Sequence, residues 1–241
     1  MEFLSHSTLL PADMARELSE YDDKDRKWIV QEKVKGVPFS LWVSPREVKG
    51  ANKQRFLRED EEYFNWKQWK RQVAPGMKKI LSRSRGHVIV FYGEIFGGYD
   101  PDPNFSHYAP GAVPLNRGVA YAPHNDWYVH DVMIDGTWQD QWYIYEMCDT
   151  LGLTYAFELF KGSLKKALKF NTDFQTEIPD IYNLSPLEQN TAAGIVIRPE
   201  FPMLASPPGK FDEPVQRMIF KKENPKHAGS TNKGATTDSA A

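Results

Sequence analysis

Trp28-Ile-Val-Gln-Glu-Lys-Val-Lys-Gly-Val-Pro-Phe-Ser-Leu-Trp-Val43 sets two apolar, β-branched and aromatic runs on either side of a short polar segment, Lys33-Val-Lys-Gly36. Runs of this composition favour strands, and the pattern predicts an antiparallel hairpin with Gly36 permitting tight backbone approach at the bend. Lys33 then projects from a rigid edge, where a lysine acts as a nucleophile once its amine is deprotonated. A Lys-x-x-Gly match arises about once by chance in a chain this long. Its meaning depends on the company it keeps along the chain.

The 241 residues suffice for one large domain or two small ones, and 41% apolar with 26% charged residues describes a globular protein. Aromatic residues make up 13%, including seven Trp, which serve as core filling or as stacking surfaces for bases. A net charge of −2 argues against a uniformly basic nucleic-acid binder, although local fields do the steering. The single cysteine, Cys148, excludes an internal disulfide and fits a reducing compartment. The N-terminus lacks the layout of a signal peptide and no run approaches membrane-spanning length, so a cytoplasmic or other intracellular location is expected.

In chain order, Pro11 to Tyr21 has helical spacing, and Val48 to Leu57 reads as a strand and loop carrying Lys53 and Arg55. Glu59-Asp-Glu-Glu62 is expected to open a helix, since acids favour the first turn. Pro75-Gly76 is expected to break it before a second short helix. From Tyr63 to Gly93 there is no acid against seven Lys or Arg, interleaved with tryptophans. That run is either a solvated helix face or a phosphate-tracking surface. His87 to Phe96 reads as a buried strand delivering Glu94. Tyr99 to Gly118 reads as a long loop. Val119 to Tyr121 and Trp127 to Ile134 are strand candidates, and Asp135-Gly136 is a hairpin turn signal. Asp140 to Leu151 is helical and closed by Gly152. Ser163 caps a helix to Phe170, and the last strands are Thr191 to Pro199 and Val215 to Lys222.

Five features stand in a fixed order: Lys33-x-x-Gly36, Tyr92-Gly-Glu-Ile-Phe-Gly97, a strand ending in His130-Asp131, Gly194-Ile-Val-Ile-Arg-Pro199, and Ile219-Phe-Lys-Lys222. The order resembles the motifs of the covalent nucleotidyltransferases, and more closely those of the RNA ligase 2 family of phage nick-sealing and kinetoplastid editing ligases. The resemblance runs from about Trp28 to Asn224. It implies an α+β fold, two twisted antiparallel sheets enclosing a nucleotide cleft with flanking helices.

It also implies a chemistry. Lys33 attacks the α-phosphate of ATP and becomes a lysyl-adenylate. AMP then passes to an RNA 5′-phosphate and is displaced by a 3′-hydroxyl. The implied nucleotide site comprises Glu32, Lys35, Gly36, Lys53, Glu94, His130, Ile195, Lys221 and Lys222, with Lys221 at the α-phosphate and His130 in place of an aromatic that stacks on adenine. Mg²⁺ or Mn²⁺ is implied at Glu94, Asp131 and the position of Ala193. RNA ends or nicked duplex RNA are the implied partner, met by Arg55, Lys67, Lys70, Arg71, Lys78 and Lys79.

Three positions depart from the family. Ala193 stands where relatives carry Glu, which marks an engineered substitution or a naturally weakened member. Pro38 replaces an Asn, and Glu223 replaces a basic residue. Residues 1–224 are expected to form the adenylyltransferase domain and 225–241 a disordered tail. No helical C-terminal domain follows Asn224, so an isolated domain, a minimal protein or a protein partner is expected. Two other activities remain alternatives: a GTP-dependent capping guanylyltransferase, and a catalytically degenerate RNA-end-binding protein.

Overall fold

A computed structural model describes residues 3–98, 111–115, 118–185, 187–206 and 214–227. The first half contains β1 (Leu10–Pro11), α1 (Ala15–Tyr21), β2 (Trp28–Glu32), β3 (Val37–Val43), β4 (Val48–Ala51), α2 (Trp66–Ser84), β5 (Ile89–Gly97), β6 (Asn125–Ile134) and β7 (Thr137–Trp138). The second contains α3 (Gln141–Leu151), β8 (Glu158–Gly162), α4 (Leu164–Leu168), α5 (Ile178–Ile181), β9 (Gly194–Pro199), β10 (Leu204–Ala205), β11 (Gln216–Arg217) and β12 (Phe220–Glu223). They build two five-stranded sheets, ordered β1-β12-β9-β2-β8 and β4-β3-β5-β6-β7, and a two-stranded β10-β11 ribbon. All pairings are antiparallel except the two-residue β1–β12 contact. The α+β class and the two sheets agree with the sequence reading.

The opening stretch is not a hairpin. β2 belongs to the first sheet and β3 to the second, so Lys33 to Gly36 is the crossover between them. Each run pairs with distant strands instead: β2 with β8 and β9, and β3 with β4 and β5. Side-chain alternation is the same for a strand paired locally or remotely, and for that reason the sequence pattern did not separate the two arrangements.

Each sheet buries one face under helices. In the first, Trp28, Val30, Ile195, Ile197 and Phe220 pack against Ala15 of α1 and Leu164 and Ala167 of α4. In the second, Phe39, Leu41, Phe91, Ile95 and Trp127 pack against Trp66, Trp69, Val73 and Met77 of α2. The helix α2 corrects two expectations. It starts at Trp66, after the acids, and continues through Pro75 and Gly76. Gly76 lies under Leu151 of α3, where a Cβ would come within 2.4 Å of the leucine Cδ2, so packing outweighs the breaker pair. Val119 to Tyr121 forms no strand, but all three residues are buried. Asp140, expected inside the helix, is instead the N-cap of α3, which Gly152 closes as expected, and Asp135 and Gly136, both at positive φ, turn β6 into β7. Most of the expected 99–118 loop and everything from residue 228 on lie outside the described residues. Pro225–His227 form a 3-10 turn at the expected start of the tail.

The inner faces are held together by charge. Asp131 of β6 accepts hydrogen bonds from Arg198 of β9 at 2.6 Å and Arg217 of β11 at 2.5 Å. Burial alone would raise the Asp131 pKa, but the two guanidiniums hold it well below the usual carboxylate range. Arg217 also lies over the Trp138 ring at 4.1 Å. Removing one partner from such a buried group leaves uncompensated charge, at about 3–5 kcal/mol. Asp131→Ala is therefore expected to lower unfolding free energy by about that amount in urea titration, whereas an effect within about 0.5 kcal/mol, as surface substitutions give, would mean the sheets are joined by apolar contact alone.

Candidate active site

Between the two inner faces lies a cavity of about 180 Å³, and Lys33 is on its wall. The crossover that carries Lys33 is pinned at both ends. Lys33 N–H donates to the Gly194 carbonyl at 3.0 Å, and Lys35 N–H to the Tyr121 hydroxyl at 3.0 Å. Val34 between them is buried with Phe96, Tyr121 and Tyr128. Gly36 passes so close to β5 that a Cβ would meet the Ile95 carbonyl oxygen at 2.3 Å. The glycine is needed for this approach between strands rather than for a turn.

Alternation along the strands supplies the walls. Gln31, Val196, Arg198, Ile219 and Lys221 come from the first sheet, and Glu94, Tyr128 and His130 from the second. Glu94 and Tyr128 are direct cross-strand partners. Burial lowers the Lys33 pKa, with Lys221 adding in the same direction, while Glu223 and Glu94 act to raise it. The net result is an amine more easily deprotonated than a surface lysine. Glu32 behaves oppositely. Buried in this wall, its carboxyl accepts from the Thr176 hydroxyl at 2.6 Å and from the Glu177 N–H at 3.2 Å. Burial nevertheless pushes its pKa up to about 7.

The structure brings together Lys33, Glu32, Glu94, His130 and Lys221, and sets Gly36 directly beneath Glu94. Lys35 turns to the opposite end of the crossover, where its Nζ donates to the His227 carbonyl. Other expectations need correction. Ile195 is fully buried on the helix-covered face, and its neighbour Val196 faces the cavity. Lys222 also points outward, donating to the carbonyls of Leu168 and Phe170 at the end of α4, so it does not assist Lys221. Lys53 is exposed on the turn after β4, away from the cavity wall. Asp131 is at the rim, but both its oxygens are taken by arginines, which removes it as a metal ligand. Ala193 is 1% exposed among apolar side chains.

The basic run also sits differently from the expectation. The helix α2 covers the face of the second sheet opposite the cavity. Arg55 pairs with Glu61, Lys67 with Glu62 and Lys70 with Glu59. Arg71, Lys78 and Lys79 are exposed on that helix.

Sequence reading missed one wall altogether. The N-terminal segment crosses the cleft with His6, Ser7 and Leu9 against the cavity. His6 Nε2 bonds the Phe39 carbonyl at 3.3 Å, and Ser7 accepts from Arg217. Burial, with help from His130, lowers the His6 pKa to about 4, so the ring is neutral near pH 7. No periodicity marks that segment. Tyr128, by contrast, was findable, since it lies two residues before His130 on one strand face.

For a divalent cation the donors fit sparingly. Among the described residues no three His, Cys, Asp or Glu side chains converge on a metal site. Two carboxylates, Glu94 and Glu223, act on Lys33. Such a pair suits Mg²⁺ or Mn²⁺ bound together with substrate phosphates and water.

The RNA ligase family model matches residues 26–222, most of the chain and every motif around this cavity. The chain belongs to the RNA ligase family. Solved structures with the same fold include a Naegleria gruberi RNA ligase mutant without ligand, at 15% identity and TM-score 0.60 over 92% of this chain and 56% of that one. A second mutant of the same ligase, with AMP and Mn, gives 15% identity and TM-score 0.59 over the same shares. A third, with ATP and Mn, gives 14% and 0.60 over 94% and 58%. This family member spans a little over half the length of the ligases it matches.

The Glu32 carboxyl sets a pH signature. Its folded pKa of about 7 lies above its ordinary 4.5, so between those values the folded protein holds the extra proton and stability falls as pH rises. At about 1.4 kcal/mol per pH unit the loss is on the order of 3 kcal/mol. Glu32→Gln is expected to remove it, read as the difference between the two proteins' stability–pH curves from pH 4 to 8. The difference is the right quantity because His6, with its lowered pKa, contributes the opposite slope over part of this window. Parallel curves would show that Glu32 is not buried as a proton-binding group.

Proposed function

We propose that this chain is the adenylyl-transfer core of an ATP-dependent RNA ligase, with Lys33 as its nucleophile. The observation that carries the reading is a half-buried lysine, its pKa lowered, on a pinned crossover and sharing one cavity wall with Lys221, Glu94 and His130. Binding of ATP or AMP with Mn by the Naegleria ligase mutants supports it.

In the first step the neutral Lys33 amine attacks the α-phosphorus of ATP. A P–N bond forms, the bond to the bridging oxygen breaks, pyrophosphate leaves with the electron pair, and the amine loses its proton to solvent. Lys221 offsets the charge that builds on the α-phosphate oxygens. On the cavity wall Glu94 would fix the ribose or a cation, and His130 and Val196 would offer flat and apolar surfaces to the base. Glu94, with Glu223 on the neighbouring strand face, would hold a divalent cation, which would supply charge neutralisation for the triphosphate. In the second step an RNA 5′-phosphate oxygen attacks the same phosphorus and Lys33 leaves, regaining a proton. In the third a 3′-hydroxyl attacks the RNA phosphorus and AMP departs.

RNA ends or a nicked duplex are the substrates this reading assigns, entering at the cavity mouth. The basic face of α2, behind the sheet, contributes only a longer-range field. No helix among the described residues is long and apolar enough to cross a membrane.

Intact-protein mass spectrometry after ATP and Mg²⁺ is expected to show one added AMP, lost in Lys33→Ala. The rate should rise with pH and level off below the ordinary lysine range, because burial lowers the Lys33 pKa. A GMP adduct instead would assign guanylyl transfer. No adduct with either nucleotide would overturn the enzymatic reading in favour of RNA-end binding.

A further inference from the structure

Positions 193 and 223, two of the departures from the resembled family pattern, lie beside each other where β9 begins against β12. Glu223 faces Gly194 in the β9–β12 ladder, and Lys33 N–H donates to that same Gly194 carbonyl. The approach is tight: a Cβ on Gly194 would lie 2.8 Å from the Glu223 Cα. The buried Asn224 fixes the register, its backbone N–H on the Ala193 carbonyl and its side chain on the Ala192 carbonyl, both at 3.0 Å. Glu223 is two residues from Lys221 and therefore shares its face of β12, just outside the residues that line the cavity, whereas Lys222 points away. Its Oε1 lies 3.6 Å from Lys221 Nζ. Of the charges around Lys33, that of Glu223 acts most strongly, ahead of Glu94. Asp131 is committed to Arg198 and Arg217, and Ala193 has no polar side-chain atom.

We propose that Glu223 is a positioning residue for adenylation: from the strand paired with β9 it acts with Glu94 to orient Lys33 and a divalent cation on the triphosphate. The proposal rests on the reading of Lys33 as the adenylated residue. In this arrangement Lys221, with Lys222 turned to the α4 carbonyls, is the β12 cation at the phosphate. No bond is made or broken by Glu223 itself.

The test uses the full chain and the variants Glu223→Gln, Glu223→Asp and Glu223→Lys. Electron paramagnetic resonance of free Mn²⁺ reads cation affinity with α,β-methylene-ATP, which is not cleaved. Single-turnover kinetics reads adenylation across pH. Glu223→Gln is expected to weaken Mn²⁺ binding about tenfold and to slow adenylation at saturating nucleotide tenfold or more. Glu223→Asp should recover part of both, and Glu223→Lys should be worse than Glu223→Gln. Thermal midpoints should stay together, since the side chain is about half exposed. Unchanged Mn²⁺ affinity, with faster adenylation whose acid limb moves to lower pH, would overturn the proposal and make Glu223 a brake that keeps Lys33 protonated. If the unmodified chain forms no adduct while Mn²⁺ binding still depends on Glu223, the ligase reading fails and the cation role stands.

Discussion

Asp131 and the two arginines that close on it set the distance between the sheets, and the cavity exists at that distance. The aspartate is 2% exposed, and its partners arrive from β9 in the first sheet and from the β10–β11 ribbon. A buried ion cluster is a poor source of net stability, because desolvation offsets most of the attraction. Its value here is geometric. Arg198 also donates to the His130 carbonyl at 2.5 Å, so this residue of the cavity wall is tied to the clamp through its own backbone. Apolar contacts between two curved sheets would tolerate sliding. Directed hydrogen bonds to one carboxylate do not.

The crossover gains its rigidity from the same arrangement. A lysine in a hairpin turn would be solvated and mobile. A lysine on a four-residue link between two clamped sheets has its backbone held by Gly194 on one side and by Tyr121 on the other. Burial lowers its pKa without removing it from the cavity. Position and pKa therefore have one cause. The link is short because Gly36 lets β3 start against β5 at once, and any side chain there would push the crossover away from β5.

Much of this was legible in the sequence, and the limits are physical. Local chemistry was readable: Asp140 and Gly152 bound α3, Asp135-Gly136 turns β6 into β7, and the order of motifs located Lys33, Glu94, His130 and Lys221. Pairing was not, because β2 and β3 have the same alternation whether they meet each other or distant strands. Parity misled at two places. Ile195 and Lys222 each sit one residue from a cavity-facing neighbour, and a one-residue shift in a strand reverses the face. Glu59 to Glu62 read as a helix start, whereas three of these acids pair with the cations of α2 and its flanking turn, leaving less of that basic face for phosphates. Asp131 read as a metal ligand because its partners, 67 and 86 residues away, cannot be seen in sequence.

The N-terminal segment shows how a site can depend on residues outside the family's common core. The family match begins at residue 26, yet His6, Ser7 and Leu9 form part of the cavity wall and Phe3 packs against Trp42 and Phe56. The inner face of β3 and β5 carries Trp42, Val90 and Tyr92, an apolar surface that α2 cannot reach because it covers the other side. Phe3 and the edge-on ring of His6 cover it instead. Ser7 meets Arg217 of the clamp, so the segment bears on both the cavity and the group that sets its width. A core limited to residues 26–222 would keep every recognised motif and lose this wall. The motifs supply Lys33, Glu94, His130 and Lys221 to the cavity, and the segment before them helps to define the space in which those groups meet.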